Sequence, residues 1–265
     1  MAEPTPGQVA LLVLSIALFA VGSGLSLARI RWERDALRVA AKACWYAGVA
    51  VGLGVLLWHS VGRGSWLPLE DNFDALVWLG LLLALFVLYV QRTRPLAGLD
   101  WFVMPIVMLL LVGAAVFGRA KPHDYVPTTW SWVHRVTAYG GALAFAVAGA
   151  VGAMYLIVSR RLRAKTPAPA GPNLGSLERL EHLTFVSVTL GFALFTVGSV
   201  TGLVEMFSAD KQTPALKLLL AMSVWVVYAI VLHSPINPRF RGRKTAILSV
   251  IGFVLMVGTI VAVQF

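Results

Sequence analysis

The chain has 265 residues, 58% of them hydrophobic and only 13% charged, and a formal net charge of +10. This composition excludes a soluble domain, and the apolar runs are too long for the short alternating strands of a membrane barrel. The positive charge is divided among separate loops and forms no single contiguous basic face, which excludes a nucleic-acid footprint.

A membrane span needs about 20 residues, because a helix rises about 1.5 Å per residue through about 30 Å of hydrocarbon. Eight apolar runs reach that length, near 8–28, 41–62, 73–91, 101–118, 136–158, 183–204, 215–233 and 246–265. They predict an all-α, polytopic membrane helix bundle of about eight transmembrane helices, forming a single membrane domain over 1–265. The first run reads as a span and not as a cleaved signal, since basic residues follow it and none precede it. Of the 22 Lys and Arg, 16 fall in alternate loops (29–42, 92–94, 160–179 and 239–244). By the positive-inside rule those loops are cytoplasmic and both termini lie outside. The predicted location is a bacterial-type inner (plasma) membrane, crossed many times.

Along the chain, the single cysteine, Cys44, stands at the cytoplasmic start of the second run. It has no disulfide partner or metal-type spacing and reads as a buried apolar thiol. The second run ends outside in Leu57-Trp58-His59-Ser60, and Asp71 and Asp74 follow, Asp74 at a place that favours a helix N-terminus. The outer loop 119–135 carries Tyr125, Trp130 and Trp132 with Pro122 and Pro127 and suits the headgroup region. His134 then opens the fifth run, whose Gly140, Gly141, Gly149 and Gly152 allow close helix approach. The linker 159–181 is flexible or polyproline-like at 166–172, and Ser176 marks the start of the next helix. His233 closes the seventh run at the cytoplasmic edge, where helix capping and metal ligation are both open to it. His123 and His182 read as solvated.

His59 and His134 fall at the same predicted depth on the outer side. Two neutral imidazoles there could take the two axial positions of a haem iron, and the plainer reading is a pair of interfacial histidines bonded to carbonyls or water. There is no phosphate-binding glycine loop, no Ser-His-Asp set, no CxxC and no pair of carboxylates at catalytic spacing. The residues thus give no catalytic constellation, and the chain leans away from being an enzyme.

Several stretches resemble the cytochrome c assembly family, which includes the CcsA, CcmC and HemX-like membrane proteins. Pro68-Leu69-Glu70-Asp71-Asn72-Phe73-Asp74-Ala75-Leu76 resembles that family's outer-loop Pro-Leu-x-Asn-x-Tyr-Glu-Ser-Leu. His134 with Tyr139 resembles its outer histidine before a span. Leu177-Glu178-Arg179-Leu180-Glu181, Gly191-Phe192, Thr196, Gly198 and Gly202 resemble the approach to its signature loop. Trp225, Tyr228, Leu232-His233, Arg241-Gly242-Arg243 and Gly252-Phe253 follow in the family's order, so the likeness covers about 40–265. It departs at Val204-Glu205-Met206-Phe207-Ser208-Ala209-Asp210-Lys211-Gln212-Thr213, where the family's haem synthases carry a loop of the type WGxxWxWDPKE.

The resemblance implies a HemX-like protein of cytochrome c or haem biogenesis that binds or presents haem, or supports the assembly machinery. His134 and His59 would be outer-side iron ligands, and His233 would mark an inner-side site. The implied surroundings are the lipid bilayer and other cytochrome c or haem biogenesis membrane proteins. A haem-free structural or assembly subunit that keeps the frame is the alternative. A small-solute transporter fits less well, since broken spans and charged midplane residues are not seen.

Overall fold

The computed structural model describes residues 4–29, 32, 34–64, 66, 69, 71–93, 96, 98–118, 128–164, 176–208, 215–234 and 242–262. Among them stand eight helices: α1 (Pro6–Ala28), α2 (Asp35–Arg63), α3 (Asn72–Thr93), α4 (Leu99–Phe117), α5 (Thr129–Arg163), α6 (Leu177–Ser208), α7 (Ala215–Leu232) and α8 (Arg243–Ala262). The all-α, multi-span expectation holds for the described residues. Seven of the helices are long and apolar enough to cross a membrane; in α7 the apolar stretch Leu218–Leu232 is shorter.

Local chemistry sets the helix ends. Thr5 and Gln8 close a reciprocal capping box around Pro6, which suits the first helical position because its missing N–H would be unsatisfied there. Thr128 accepts the Ser131 N–H at the start of α5, and Ser176 accepts that of Arg179 at the start of α6. Gly64, at φ +73°, stops α2 in a left-handed turn that a side chain would strain. α6 continues through Ser208, four residues past its predicted run, since no glycine or proline intervenes after Gly202.

The helices group into two compact units, α1–α4 and α5–α8. In the first, α1 packs on α2 and α4, and α3 packs on α2 and α4, closing a four-helix ring. Ser15 Oγ donates to the Gly48 carbonyl at 2.8 Å, drawing α1 onto α2 where Phe19 covers Gly48. Near the predicted cytoplasmic ends, the buried Ser26 hydroxyl donates to the Asp100 carboxylate and accepts the Trp101 indole N–H at 3.1 Å. The second unit closes likewise, with α5 on α6 and α8, and α7 on α6 and α8. Its centre is the Phe145–Tyr228 stack, with centroids 3.7 Å apart and planes at 6°. The Tyr228 hydroxyl donates to the Ser249 carbonyl at 3.3 Å, so the phenol's polar end is satisfied inside the core. The glycines of α5 do pack closely: a Cβ on Gly149 would lie 2.7 Å from Phe253 Cβ.

Candidate functional site

In the first unit His59 is buried, 1% exposed, near the C-terminal end of α2, the end predicted to be outer. Its Nε2 lies 2.8 Å from Asp71 Oδ2, and its Nδ1 lies 3.4 Å from Gln8 Oε1. The Gln8 oxygen also accepts the Thr5 N–H at 2.9 Å, which fixes the amide with its oxygen toward the ring. Both ring nitrogens thus face acceptors, and the imidazole offers a metal no open lone pair until one contact parts. Phe73 packs against the ring, with centroids 4.9 Å apart.

Asp71 joins this cluster to the helix that follows. Its Oδ2 accepts from Arg63 at 2.9 Å as well as from His59, and its Oδ1 caps α3 by accepting the Asp74 N–H at 2.7 Å. Asp74 in turn accepts the Leu69 N–H at 2.5 Å, and Leu69 holds φ +65°, a left-handed conformation unusual for a γ-branched residue. Burial pushes the Asp71 carboxyl up. The His59 bond and charge, the Asp74 N–H and Arg63 outweigh it and hold the group below its ordinary value. The outer-loop motif is therefore a clasp: its acids fasten α2 to α3 and reach α1 through His59 and Gln8.

In the second unit His134 is half-buried one turn into α5. Its Nδ1 donates to the Gly198 carbonyl of α6 at 2.7 Å. That bond selects the tautomer with the proton on Nδ1 and the lone pair on Nε2. Beside it Arg135 is buried; its Nε donates to the Ser131 carbonyl at 3.3 Å, and its guanidinium lies 5.2 Å from the Trp132 ring centroid.

His233 is exposed at the end of α7 and donates from Nδ1 to the Ala229 carbonyl at 2.8 Å. It is thus a cap of its own helix, again with the lone pair on Nε2. His59 belongs to the first unit and His134 and His233 to the second. His182 is exposed, Cys44 is half-buried and not the buried thiol expected, and His123 lies outside the described residues. In the stretch expected to carry the signature loop, Val204–Ser208 forms the last turn of α6, with Phe207 78% exposed, and 209–213 lies outside the described residues. Among the described residues no group of three or more His, Cys, Asp or Glu could hold a metal ion. Sequence reasoning missed the parts of Gln8, Arg63 and Asp71; the visible signal was Asp71 and Asp74 at N-cap spacing directly after His59 and Arg63.

The family model described as Cytochrome C assembly protein matches residues 66–265, well over half of the chain. Among curated proteins, the chain is similar to the cytochrome c biogenesis protein CcsA of Saccharum officinarum, 32% identical over 113 residues, or 38% of this chain and 33% of that protein. The Zea mays protein of the same name matches to the same extent. The one from Prochlorococcus marinus (strain NATL2A) is 38% identical over 88 residues, 30% of this chain and 26% of that protein. The match spans a third or less of the length of these relatives. No solved structure matches. With its ordered helices and a family match from residue 66 onward, the chain belongs to the cytochrome c assembly protein family.

Proposed function

We propose that this protein serves cytochrome c assembly by binding or presenting haem at the outer ends of its helices, with His134 as an iron ligand, without joining haem to protein itself. The observation that carries this reading is the 2.7 Å bond from His134 Nδ1 to the Gly198 carbonyl. Metal-ligating histidines characteristically donate their other ring N–H to a carbonyl or carboxylate, which fixes the ring and raises the basicity of the ligating nitrogen. A neutral imidazole nitrogen is a regular axial ligand of haem iron, so the donor fits the group. Haem, when bound, supplies the iron–porphyrin chemistry, and the protein supplies ligation and access.

His59 takes part as a second outer ligand only on parting from Asp71 or Gln8, and His233 is the inner-side candidate. The family match and the relatives' shared name, cytochrome c biogenesis protein, support the biogenesis setting. The membrane is taken to be of the bacterial inner type, with other biogenesis membrane proteins as partners. A second reading, a haem-free assembly subunit, draws on the absence of tryptophan from 204–213 and on the engaged state of His59.

The test is the visible spectrum of the detergent-purified protein with and without added haem, beside His134→Ala and His59→Ala. The expected result is a Soret band that His134→Ala loses or shifts. No band after haem addition would leave the haem-free reading standing.

A further inference from the structure

The seat of His134 is built from α6, and it is made by missing side chains. A Cβ placed on Gly202 would lie 2.7 Å from His134 Cε1 and 2.8 Å from Nδ1, so the imidazole rests where that methyl would be. One turn earlier, a Cβ on Gly198 would lie 3.1 Å from the Ala138 backbone nitrogen. Gly198 thereby lets α5 approach closely enough for its own carbonyl to accept the His134 N–H. Thr201 lies buried between the two glycines, and its hydroxyl donates to Val197 at 2.8 Å and lies 3.1 Å from the Gly198 oxygen.

We infer that Gly202 is a positioning residue for the His134 ligand: its bare Cα holds the ring flat enough on α6 for Nδ1 to reach Gly198, and so aims the Nε2 lone pair. This rests on the haem reading above. The two glycines stand four residues apart, so they lie on one face of α6, one above the other. That face is aligned with α5 at His134 and Ala138. A methyl at Gly202 meets the far end of a side chain and not backbone. The ring can swing away, and what is lost is its bond to Gly198, not the helix contact. Loss of an outer partner of this kind characteristically weakens metal affinity about 10- to 100-fold.

The experiment is haem titration of the full-length protein in detergent, comparing wild type, His134→Ala, Gly202→Ala and Gly191→Ala, each with and without added imidazole. Gly191 lies on the same helix, and its Cβ would crowd Phe145 at 2.7 Å without touching His134, so it reports packing damage alone. The expected result is that Gly202→Ala weakens haem binding at least 10-fold and changes the ligation spectrum, that imidazole restores the spectrum, and that Gly191→Ala keeps the wild-type spectrum. Wild-type affinity and spectrum in Gly202→Ala would overturn the inference while leaving His134 ligation intact. Equal losses in both glycine variants, unrescued by imidazole, would overturn it in favour of packing. Haem binding that survives His134→Ala unchanged would instead remove the reading on which it rests.

Discussion

At the scale of single residues, the two histidines at the predicted outer ends are held differently by their neighbours. His134 gives its Nδ1 proton to a carbonyl of the next helix, whereas His59 faces acceptors at both ring nitrogens. Asp71 decides the second case, accepting from His59, Arg63 and the Asp74 backbone at once. Removing it leaves a buried imidazole and a largely buried guanidinium short of their shared acceptor. Fully buried pairs broken in this way cost about 3–5 kcal/mol, and partial solvent access to Asp71 lowers the expectation for Asp71→Ala to about 2–3 kcal/mol. Thermal unfolding in detergent measures it. The carboxyl is held below its ordinary value of 3.8, so its contribution is complete above that pH and is lost as pH falls through the lower, folded value. The wild-type advantage over Asp71→Ala is therefore expected to stay level from neutral pH down to about 4 and to shrink only in stronger acid. The histidines themselves were legible in the sequence, because ionisable groups near hydrocarbon are conspicuous. Their partners were not, since Gln8 is 51 residues from His59 and Gly198 is 64 from His134. No local pattern encodes such a meeting.

At the scale of helices, the sequence was read most easily where a single physical requirement dominates. Span length and turn chemistry gave the eight helices, and Ser176 and the α5 glycines did what their types suggested. α2 and α5 begin before their apolar runs, and α5 and α6 continue past theirs, because these terminal turns are too polar to register as hydrocarbon-spanning yet keep their backbone bonds. Helix contacts in lipid gain little from the hydrophobic effect and depend on close fit, so small residues mark where they form. Gly149 is such a place, with Phe253 of α8 seated on its bare Cα. Gly149→Ala forces α5 and α8 apart and is expected to cost about 1–3 kcal/mol, the usual penalty for overpacking. Gly54 in α2 has nothing within 4 Å of its would-be Cβ. Gly54→Ala is expected to leave stability unchanged or raise it by up to about 1 kcal/mol through helix propensity. Thermal unfolding of the two variants side by side tests whether contact or helix propensity governs these glycines.

At the scale of the molecule, the question is whether every helix crosses, since each crossing alternates the side on which the next connection lies. α7 is the doubtful member on length: 18 residues rise about 27 Å, against about 30 Å of hydrocarbon. Its burial pattern argues that it spans nonetheless. Val224, Tyr228 and Val231 are fully buried at helical spacing, whereas Leu219, Met222, Val226 and Ile230 are exposed, as suits an inward stripe and a lipid-facing remainder. A shortfall of a few ångströms is met by local thinning of the bilayer at modest cost. With α7 crossing, the basic residues opening α8 fall on the side that the charge asymmetry predicts to be cytoplasmic. Cys44 is the one native cysteine, so Cys44→Ala gives a clean background for single reporter cysteines. Trp66→Cys and Trp130→Cys replace exposed residues and are expected to react with a membrane-impermeant maleimide on intact cells. Arg163→Cys and Arg243→Cys, also at exposed positions, are expected to react only after permeabilisation. If Arg243→Cys labels on intact cells while Arg163→Cys does not, α7 turns back within the membrane. His233 would then move to the outer side with it, and the inner-side site would lose its proposed ligand.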